Sequence, residues 1–140
     1  TLNNPIENSR FLPFMPAPKL LTEFRGDFRK INTTIKNAYI KLEIDNTFKQ
    51  NQVFTAFQTE TETPGYLLLN LGMGSEFYNK KNKQIFALYF TASNLTDVAY
   101  QNHLSRLKYA AENLATGRKG VFNMGRNFGI KLNIPLSFKL

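Results

Sequence analysis

The residues with the clearest chemical potential lie between positions 103 and 126. His103 is the single histidine of the chain, and there is no cysteine, which excludes thiolate metal sites and cysteine nucleophiles. No recognisable carboxylate motif accompanies His103, so we expect neither a metal site nor enzyme activity. The cations of the same stretch are Arg106, Lys108, Arg118, Lys119 and Arg126. They could bind an anionic ligand or lipid phosphates, or form a solvated loop, and His103 could contact a ligand or serve only the loop's structure.

Length and charge exclude several classes of protein. The chain has 140 residues, the length of one domain, and a formal net charge of +8. Its cations are scattered among carboxylates, as at Arg25 beside Asp27, and do not form one cluster, so we expect no nucleic-acid partner. No apolar run approaches the roughly 18 residues of a transmembrane helix. Residues 1–8 do not resemble a signal peptide, and a start without methionine suggests a fragment of a longer protein.

Alternating apolar and polar residues predict β-strands. In the last predicted strand, residues 127–138, every second side chain from Phe128 to Phe138 is large and apolar, and those between are small, polar or charged. Successive side chains on a strand point to opposite faces, so this strand has one apolar and one polar face. Its length matches the roughly 9–11 residues of a tilted strand that crosses a bilayer. Pro135 has no N–H to donate and predicts a bulge or an unpaired donor.

The same alternation predicts four earlier strands. Together, the predicted strands are 19–29, 37–49, 65–78, 84–95 and 127–138, with long loops at 50–64 and 96–126. The first two strands form a predicted hairpin whose register sets Arg25 opposite Glu43. In the third strand, Gly72 and Gly74 lie on the polar face, where they could admit another segment or merely bend the strand.

Loop lengths and aromatic positions favour one β architecture. Short connections near Asn32 and Asn79 alternate with the long loops, and phenylalanines flank the short turns. This arrangement is typical of an up-and-down barrel with an aromatic girdle. We therefore predict an all-β chain, an antiparallel up-and-down meander of about five strands that forms a segment of a large transmembrane β-barrel. The predicted girdle residues are Phe28, Phe77, Phe86, Phe128 and Phe138.

Five short motifs lie in order along the chain. They are the leader 12–20, the stretch 63–71, the Asn-Leu-Thr-Asp motif at 94–97 with Tyr100, the Gly-Arg-Asn-Phe start of the last strand at 125–128, and the aromatic Phe138. Together they cover nearly the whole chain and resemble the C-terminal part of TonB-dependent outer-membrane receptors. Lys139 and Leu140 depart from the family, which usually ends at its terminal aromatic residue.

The resemblance implies a receptor barrel of roughly 22 strands around a plug, with this chain as its C-terminal part in the outer membrane of a Gram-negative bacterium. It implies energy-coupled uptake of a scarce ligand, first of all a metal chelate of the iron-siderophore or haem type. The implied partners are outer-membrane lipid, lipopolysaccharide, the plug domain, TonB through a missing N-terminal part, and the outer-membrane assembly machinery, which would recognise Phe138. An extracellular loop would contribute ligand contacts from His103, Arg106, Lys108, Arg118 and Arg126, and no cofactor is implied.

The alternative is a soluble, secreted β-sandwich domain that binds carbohydrate or protein. A half-buried strand of a sandwich also alternates, so the pattern alone leaves this class open. The two architectures differ in whether large residues such as Phe24, Leu88 and Leu132 face outward or lie in a covered core. Because spanning barrels need at least about eight strands, five strands cannot close by themselves and would expose two edges.

Overall fold

The computed structural model describes residues 10–56 and 59–136 and is all-β. The strands are β1 (Lys19–Lys30), β2 (Ile35–Thr47), β3 (Tyr66–Tyr78), β4 (Gln84–Ser93), β5 (Glu112–Asn113), β6 (Arg118–Lys119) and β7 (Asn127–Asn133), and Arg106–Tyr109 form one turn of 3₁₀ helix. Within the described residues, no helix is long and apolar enough to cross a membrane.

Five of the strands form one antiparallel sheet in the order β1-β2-β3-β4-β7. Each strand pairs with its predecessor in this order, so the predicted antiparallel meander of five strands is confirmed. The sheet is open, with β1 and β7 at its edges. The other two strands, β5 and β6, form a small separate hairpin inside the segment that was predicted as a long loop.

The last strand is shorter than the predicted 127–138. The ladder between β4 and β7 runs from Ser93↔Asn127 to Ala87↔Asn133, and β7 ends there. Pro135 follows two residues later, and a proline cannot donate a ladder hydrogen bond, which accounts for the early end. Residues 137–140, with the predicted terminal aromatic Phe138 and with Lys139 and Leu140, lie outside the described residues.

Both short turns are built around an asparagine side chain. Asn32 Oδ1 accepts the backbone N–H groups of Thr34 at 2.8 Å and Ile35 at 2.7 Å. Asn79 Oδ1 accepts those of Lys81 at 3.0 Å and Lys83 at 2.9 Å. Asparagine favours such turns because its side chain replaces the missing backbone acceptor. An asparagine therefore stabilises the tight turn that follows each of β1 and β3.

The register of the first hairpin differs from the predicted one. At one end Ile31 N–H donates to Ile35 O at 3.1 Å, and at the other Phe48 N–H donates to Pro18 O at 2.9 Å. Both bonds fit a pairing of β1 with β2 that is shifted by two residues from the predicted one. In this pairing Arg25 no longer lies opposite Glu43. A displacement by two residues keeps every side chain on its face, because the side-chain period of a strand is two. The alternation thus predicts the faces but not the partners.

The chain divides into two compact units. The first, which we call the sheet unit, comprises residues 21–45, 68–97 and 126–136 and contains most of the five-stranded sheet. The second, the loop unit, comprises residues 10–20, 46–56, 59–67 and 98–125. Inside the loop unit, Gln50 and Thr63 form an antiparallel bridge with two backbone hydrogen bonds of 3.0 Å.

Candidate functional site

One face of the sheet unit is apolar across the strands. The register aligns Met73 with Phe90 and Phe90 with Ile130. It also aligns Leu88 with Leu132. Residues paired across antiparallel strands lie on the same face, so these side chains form one continuous apolar surface.

The apolar face is not covered by other parts of the sheet unit. The exposed fractions are 76% for Ile130, 61% for Phe24 and 56% for Leu132. The buried apolar residues of the sheet unit, within the described part of the chain, are Ala38, Leu68, Ala87 and Ala92. No large side chain among the described residues is fully buried. A soluble fold usually buries its large apolar residues. Exposed contiguous surface of this kind marks an interaction surface.

Four of the five predicted girdle aromatics lie on described strands. Phe77 and Phe86 stack with ring centroids 4.5 Å apart, and Phe90 stacks with Phe128 at 6.1 Å. Phe28 and Phe128 are exposed. Their assignment to a membrane interface stays a prediction, as does the assembly role of Phe138, which lies outside the described residues.

The opposite face of the sheet unit carries charged residues that pair with one another. Lys41 Nζ lies 3.2 Å from a Glu23 carboxylate oxygen and 3.5 Å from one of Glu43. Arg25 forms hydrogen bonds to both carboxylate oxygens of Asp27 on its own strand, at 3.0 and 3.1 Å. Charge pairing of this kind lets a polar face form without isolated charges. Arg25 therefore pairs with Asp27 and not with the predicted Glu43, which lies near Lys41 instead.

Glycines on this polar face make room for side chains from the neighbouring strands. A Cβ placed on Gly74 would lie 2.4 Å from the Tyr89 ring and 2.7 Å from the Tyr39 ring. A Cβ on Gly72 would lie 3.0 Å from Lys41 Cγ. The space above each glycine is therefore occupied from within the sheet. This accounts for Gly72 and Gly74 without a further segment.

The Asn-Leu-Thr-Asp motif closes β4 and fixes the start of β7. Asn94 is buried with a positive φ of 50°, and its N–H donates to Asn70 Oδ1 at 2.9 Å. Asp97, with a φ of 56°, accepts the N–H of Arg126 at 2.8 Å. Asparagine and aspartate tolerate this backbone conformation better than other non-glycine residues. The motif thus has a structural role at this corner of the sheet.

The predicted ligand residues have different surroundings. Arg106 and Arg118 lie exposed in the loop unit, and Arg118 stacks 5.3 Å above the Phe122 ring. Arg126 lies exposed in the sheet unit. His103 and Lys108 are buried in the loop unit. A contact of these five residues with a ligand stays a prediction, and for the buried pair it would require the loop unit to open.

His103 and Lys108 belong to a buried polar cluster, which we call the loop hub. Its four members are Glu60, Thr63, His103 and Lys108, and each is less than one tenth exposed. Lys108 Nζ donates to Thr63 Oγ1 at 2.9 Å and to Thr61 O at 2.8 Å. Thr63 Oγ1 lies 2.8 Å from His103 Nδ1. Since Lys108 already donates to this oxygen, the Thr63 hydroxyl can donate its own proton to a neutral imidazole.

Glu60 ties further segments to the loop hub. Its carboxylate accepts the backbone N–H of Phe54 at 2.8 Å and that of Phe14. Its Oε1 lies 3.8 Å from His103 Nε2, and the side chains of both residues are 2% exposed. Backbone N–H groups from two separate stretches, and the imidazole of His103 from a third, therefore meet at one buried carboxylate. Gln50 supports the same arrangement, because its buried amide donates to Met15 O at 3.0 Å and Pro16 O at 3.1 Å.

The loop hub keeps His103 neutral. Burial, together with the nearby Lys108 cation, lowers the pKa of His103 below its usual value of 6.5, and Glu60 opposes part of this effect. With His103 neutral, the positive charge of Lys108 and the negative charge of Glu60 balance within the hub. Protonation of the imidazole would add an uncompensated charge to a buried site.

The order hydroxyl, imidazole and carboxylate resembles the arrangement of a nucleophilic catalyst, but the geometry supports a structural role. Thr63 Oγ1 is engaged by Lys108 and is buried, whereas a nucleophile needs access to a substrate. Among residues 10–56 and 59–136, no group of three or more His, Cys, Asp or Glu side chains is arranged to hold a metal ion. The hydrogen bonds of the loop hub can instead hold the segments of the loop unit together.

Sequence reasoning missed two members of the loop hub. Glu60 and Thr63 lie 43 and 40 residues before His103, in the predicted loop 50–64. No carboxylate lies close to His103 in the sequence. The expectation that none lies near it is nevertheless wrong, because the fold brings Glu60 to His103. No local pattern links these residues, because the fold brings them together.

Neither a family model nor a curated protein nor a solved structure matches the chain. The functional interpretation therefore depends on the residues and on the geometry described above.

Proposed function

We propose that this chain is a membrane-spanning sheet, the C-terminal barrel portion of an outer-membrane receptor of the TonB-dependent type. The observation that carries the proposal is the uncovered apolar face opposite a charge-paired polar face. In such a barrel the apolar face contacts lipid and the polar face lines the lumen. The proposal explains why large residues such as Ile130 and Phe24 need no core inside this chain.

Strand length supports the proposal. The first four strands of the sheet have 12, 13, 13 and 10 residues. A tilted spanning strand needs roughly 9–11 residues, so these four are long enough to cross a bilayer. Strand β7 has 7 residues and is the exception. The open edges at β1 and β7 are the places where further strands of a complete barrel would pair.

Under this proposal, the protein takes up a scarce ligand across the outer membrane with energy supplied through TonB. A metal chelate of the iron-siderophore or haem type is the first candidate, and this choice depends on the resemblance of the sequence motifs. The plug domain and the segment that contacts TonB would belong to other parts of the receptor. Exposed cations such as Arg106 and Arg118 suit an anionic chelate or lipopolysaccharide phosphates.

Size-exclusion chromatography with light scattering, with and without detergent, tests the proposal. We expect aggregation in plain buffer, because the apolar face and the two edges invite association. In detergent we expect a particle of defined mass. A monodisperse monomer in plain buffer would contradict the proposal. It would favour the soluble, secreted β-sandwich domain that binds carbohydrate or protein.

A further inference from the structure

The two short turns of the sheet unit concentrate positive charge. Segments 28–37 and 77–86 contain six cations and no carboxylate. We call these six residues the basic rim: Arg29, Lys30, Lys36, Lys80, Lys81 and Lys83. The two turns are joined, because Tyr78 N–H donates to Thr34 O at 2.7 Å and Lys36 Nζ donates to Asn82 Oδ1. The basic rim is therefore a single charged surface.

The charge of the basic rim is not compensated within the described residues. The nearest carboxylates in sequence have other partners: Glu76 accepts from the Asn37 amide at 2.7 Å and the Tyr78 hydroxyl at 2.8 Å. Asp27 is bound by Arg25. No ion pair within residues 10–56 and 59–136 includes a cation of the rim. Uncompensated surface charge of this density attracts anions.

An apolar groove begins at the basic rim. It has a volume of about 500 Å³ and lies on the apolar face of the sheet unit. Ala38 and Ser75 form part of its lining, where the small side chains leave a depression among the larger residues. Phe28, Ile31 and Phe77 also line the groove, and they lie in the same two segments as the rim cations. A charged surface and an apolar groove are therefore contiguous.

We propose that the groove and the basic rim form a binding site for an anionic glycerophospholipid of the bilayer. One acyl chain lies in the groove between Phe28 and Phe77, and the phosphate contacts the lysines of the rim. Lipid is the occupant because a free phosphate would leave the groove empty, whereas the cationic amine of a zwitterionic headgroup would be repelled by the rim. This inference rests on the proposed function, since it requires the apolar face to contact lipid.

Lipid retention by the 140-residue chain tests this site. The chain is reconstituted into vesicles of equal parts phosphatidylcholine and phosphatidylglycerol and then extracted in mild detergent. The lipids that stay bound are counted by native mass spectrometry. We expect phosphatidylglycerol to be retained roughly fivefold over phosphatidylcholine, since a surface cation contributes on the order of 1 kcal/mol toward anionic lipid. The preference should decrease at high ionic strength.

Two kinds of variant separate the contribution of the basic rim to lipid retention from that of the apolar groove. The rim variant replaces three exposed lysines by glutamine: Lys30→Gln, Lys80→Gln and Lys83→Gln. The charge-matched control removes three exposed cations elsewhere: Arg10→Gln, Lys49→Gln and Lys131→Gln. We expect the rim variant to lose the preference and the control to keep it. Ser75→Leu fills the groove and should lower retention of both lipids.

The outcomes separate this site from the proposed function. If the chain inserts into vesicles and retains both lipids equally, or if the rim variant and its control behave alike, the site is contradicted and the membrane-spanning proposal stands. If the chain binds vesicles of neither composition, both proposals are contradicted, because even an unclosed sheet would present its apolar face to lipid.

Discussion

The sheet unit exposes its large apolar side chains, whereas the loop unit buries charged and polar ones. The sheet unit leaves Ile130 and Phe24 exposed and fully buries no large apolar residue within its described part. The loop unit buries Glu60, His103 and Lys108 and satisfies them with hydrogen bonds. The difference teaches that the two units depend on different conditions. Under the proposed function the sheet unit needs an apolar environment, whereas the loop unit needs its buried polar groups hydrogen-bonded to one another.

Removal of the loop-hub carboxylate should have the largest effect. Glu60→Ala leaves the N–H groups of Phe14 and Phe54 without their acceptor. Since a hydrogen bond to a charged group contributes about 1.5–3 kcal/mol and both bonds are partly buried, we expect the loop unit to lose about 3–6 kcal/mol. Hydrogen exchange of loop-unit amides measures the loss. Glu62→Ala is the control, because Glu62 is exposed and its ion pair with Lys49 lies at the surface, where such pairs contribute about 0–1 kcal/mol. Equal effects of the two substitutions would contradict a structural hub.

A charge on the apolar face should have the next largest effect, and only in the sheet unit. Leu88→Lys places an ammonium group on the face that we assign to lipid, which costs about 2–4 kcal/mol near the bilayer midplane. Thr91→Lys, on the opposite face of the same strand, should cost less than about 1 kcal/mol. Urea unfolding of the chain folded in vesicles compares them. Equal losses of unfolding free energy for the two substitutions would mean that both faces have the same environment, which would contradict the assignment of one face to lipid.

The sequence was sufficient for the faces of the sheet because alternation is local. Phe128, Ile130 and Leu132 repeat with the period of a strand, and the structure places them on one face. The partners of Arg25 and Lys41 could not be predicted, because a two-residue change of register preserves the alternation. Pro135 was the only residue in the sequence that indicated the early end of β7. The hairpin of β5 and β6 was missed because two-residue strands carry no periodicity.

A substitution at Gly74 should have a moderate effect. A Cβ at this position would meet the Tyr89 and Tyr39 rings at 2.4 and 2.7 Å, so Gly74→Ala must displace a ring that packs on the strand. Overpacking of this kind costs about 1–3 kcal/mol. Gly26→Ala is the control, since its nearest neighbour is Ile40 Cγ2 at 3.8 Å. We expect the control to change the unfolding free energy by less than about 1 kcal/mol, and a larger loss than at Gly74 would refute the packing role.

Acidification should have a smaller and graded effect, confined to the loop unit. The pKa of His103 is lowered in the folded state, so the unfolded chain binds a proton more readily. The contribution of His103 is therefore fully present above its usual pKa of 6.5 and is lost as the pH falls below it toward the lowered pKa. Because His103 is the single histidine, NMR can follow its imidazole without ambiguity. His103→Gln should remove this component, and a midpoint at or above 6.5 would contradict a buried neutral imidazole.

The candidate site could be predicted only where its chemistry is local. The short-turn asparagines were visible in the sequence because each acts on backbone groups two to four residues away. The 94–97 motif was visible only as a resemblance, since its Asp97 accepts from Arg126, 29 residues further along the chain. The loop hub was not visible, since Glu60 and His103 meet only after distant loops pack together. The burial of Lys108 was likewise not visible in the sequence, and it changes the role expected for this residue. A lysine in a basic loop suggests a ligand contact, and its hydrogen bonds to Thr61 and Thr63 give it a structural one.

Site-specific labelling of adjacent residues on β7 tests the central claim most directly. The chain has no cysteine, so Ile130→Cys and Lys131→Cys each give a single attachment point for a fluorophore. In vesicles, we expect the label at position 130 to be quenched by a nitroxide on the lipid acyl chain. The label at position 131 should be quenched by aqueous iodide instead, because neighbouring residues of a strand point to opposite faces. Quenching of both labels by iodide, with no effect of the lipid nitroxide, would contradict a membrane-spanning sheet.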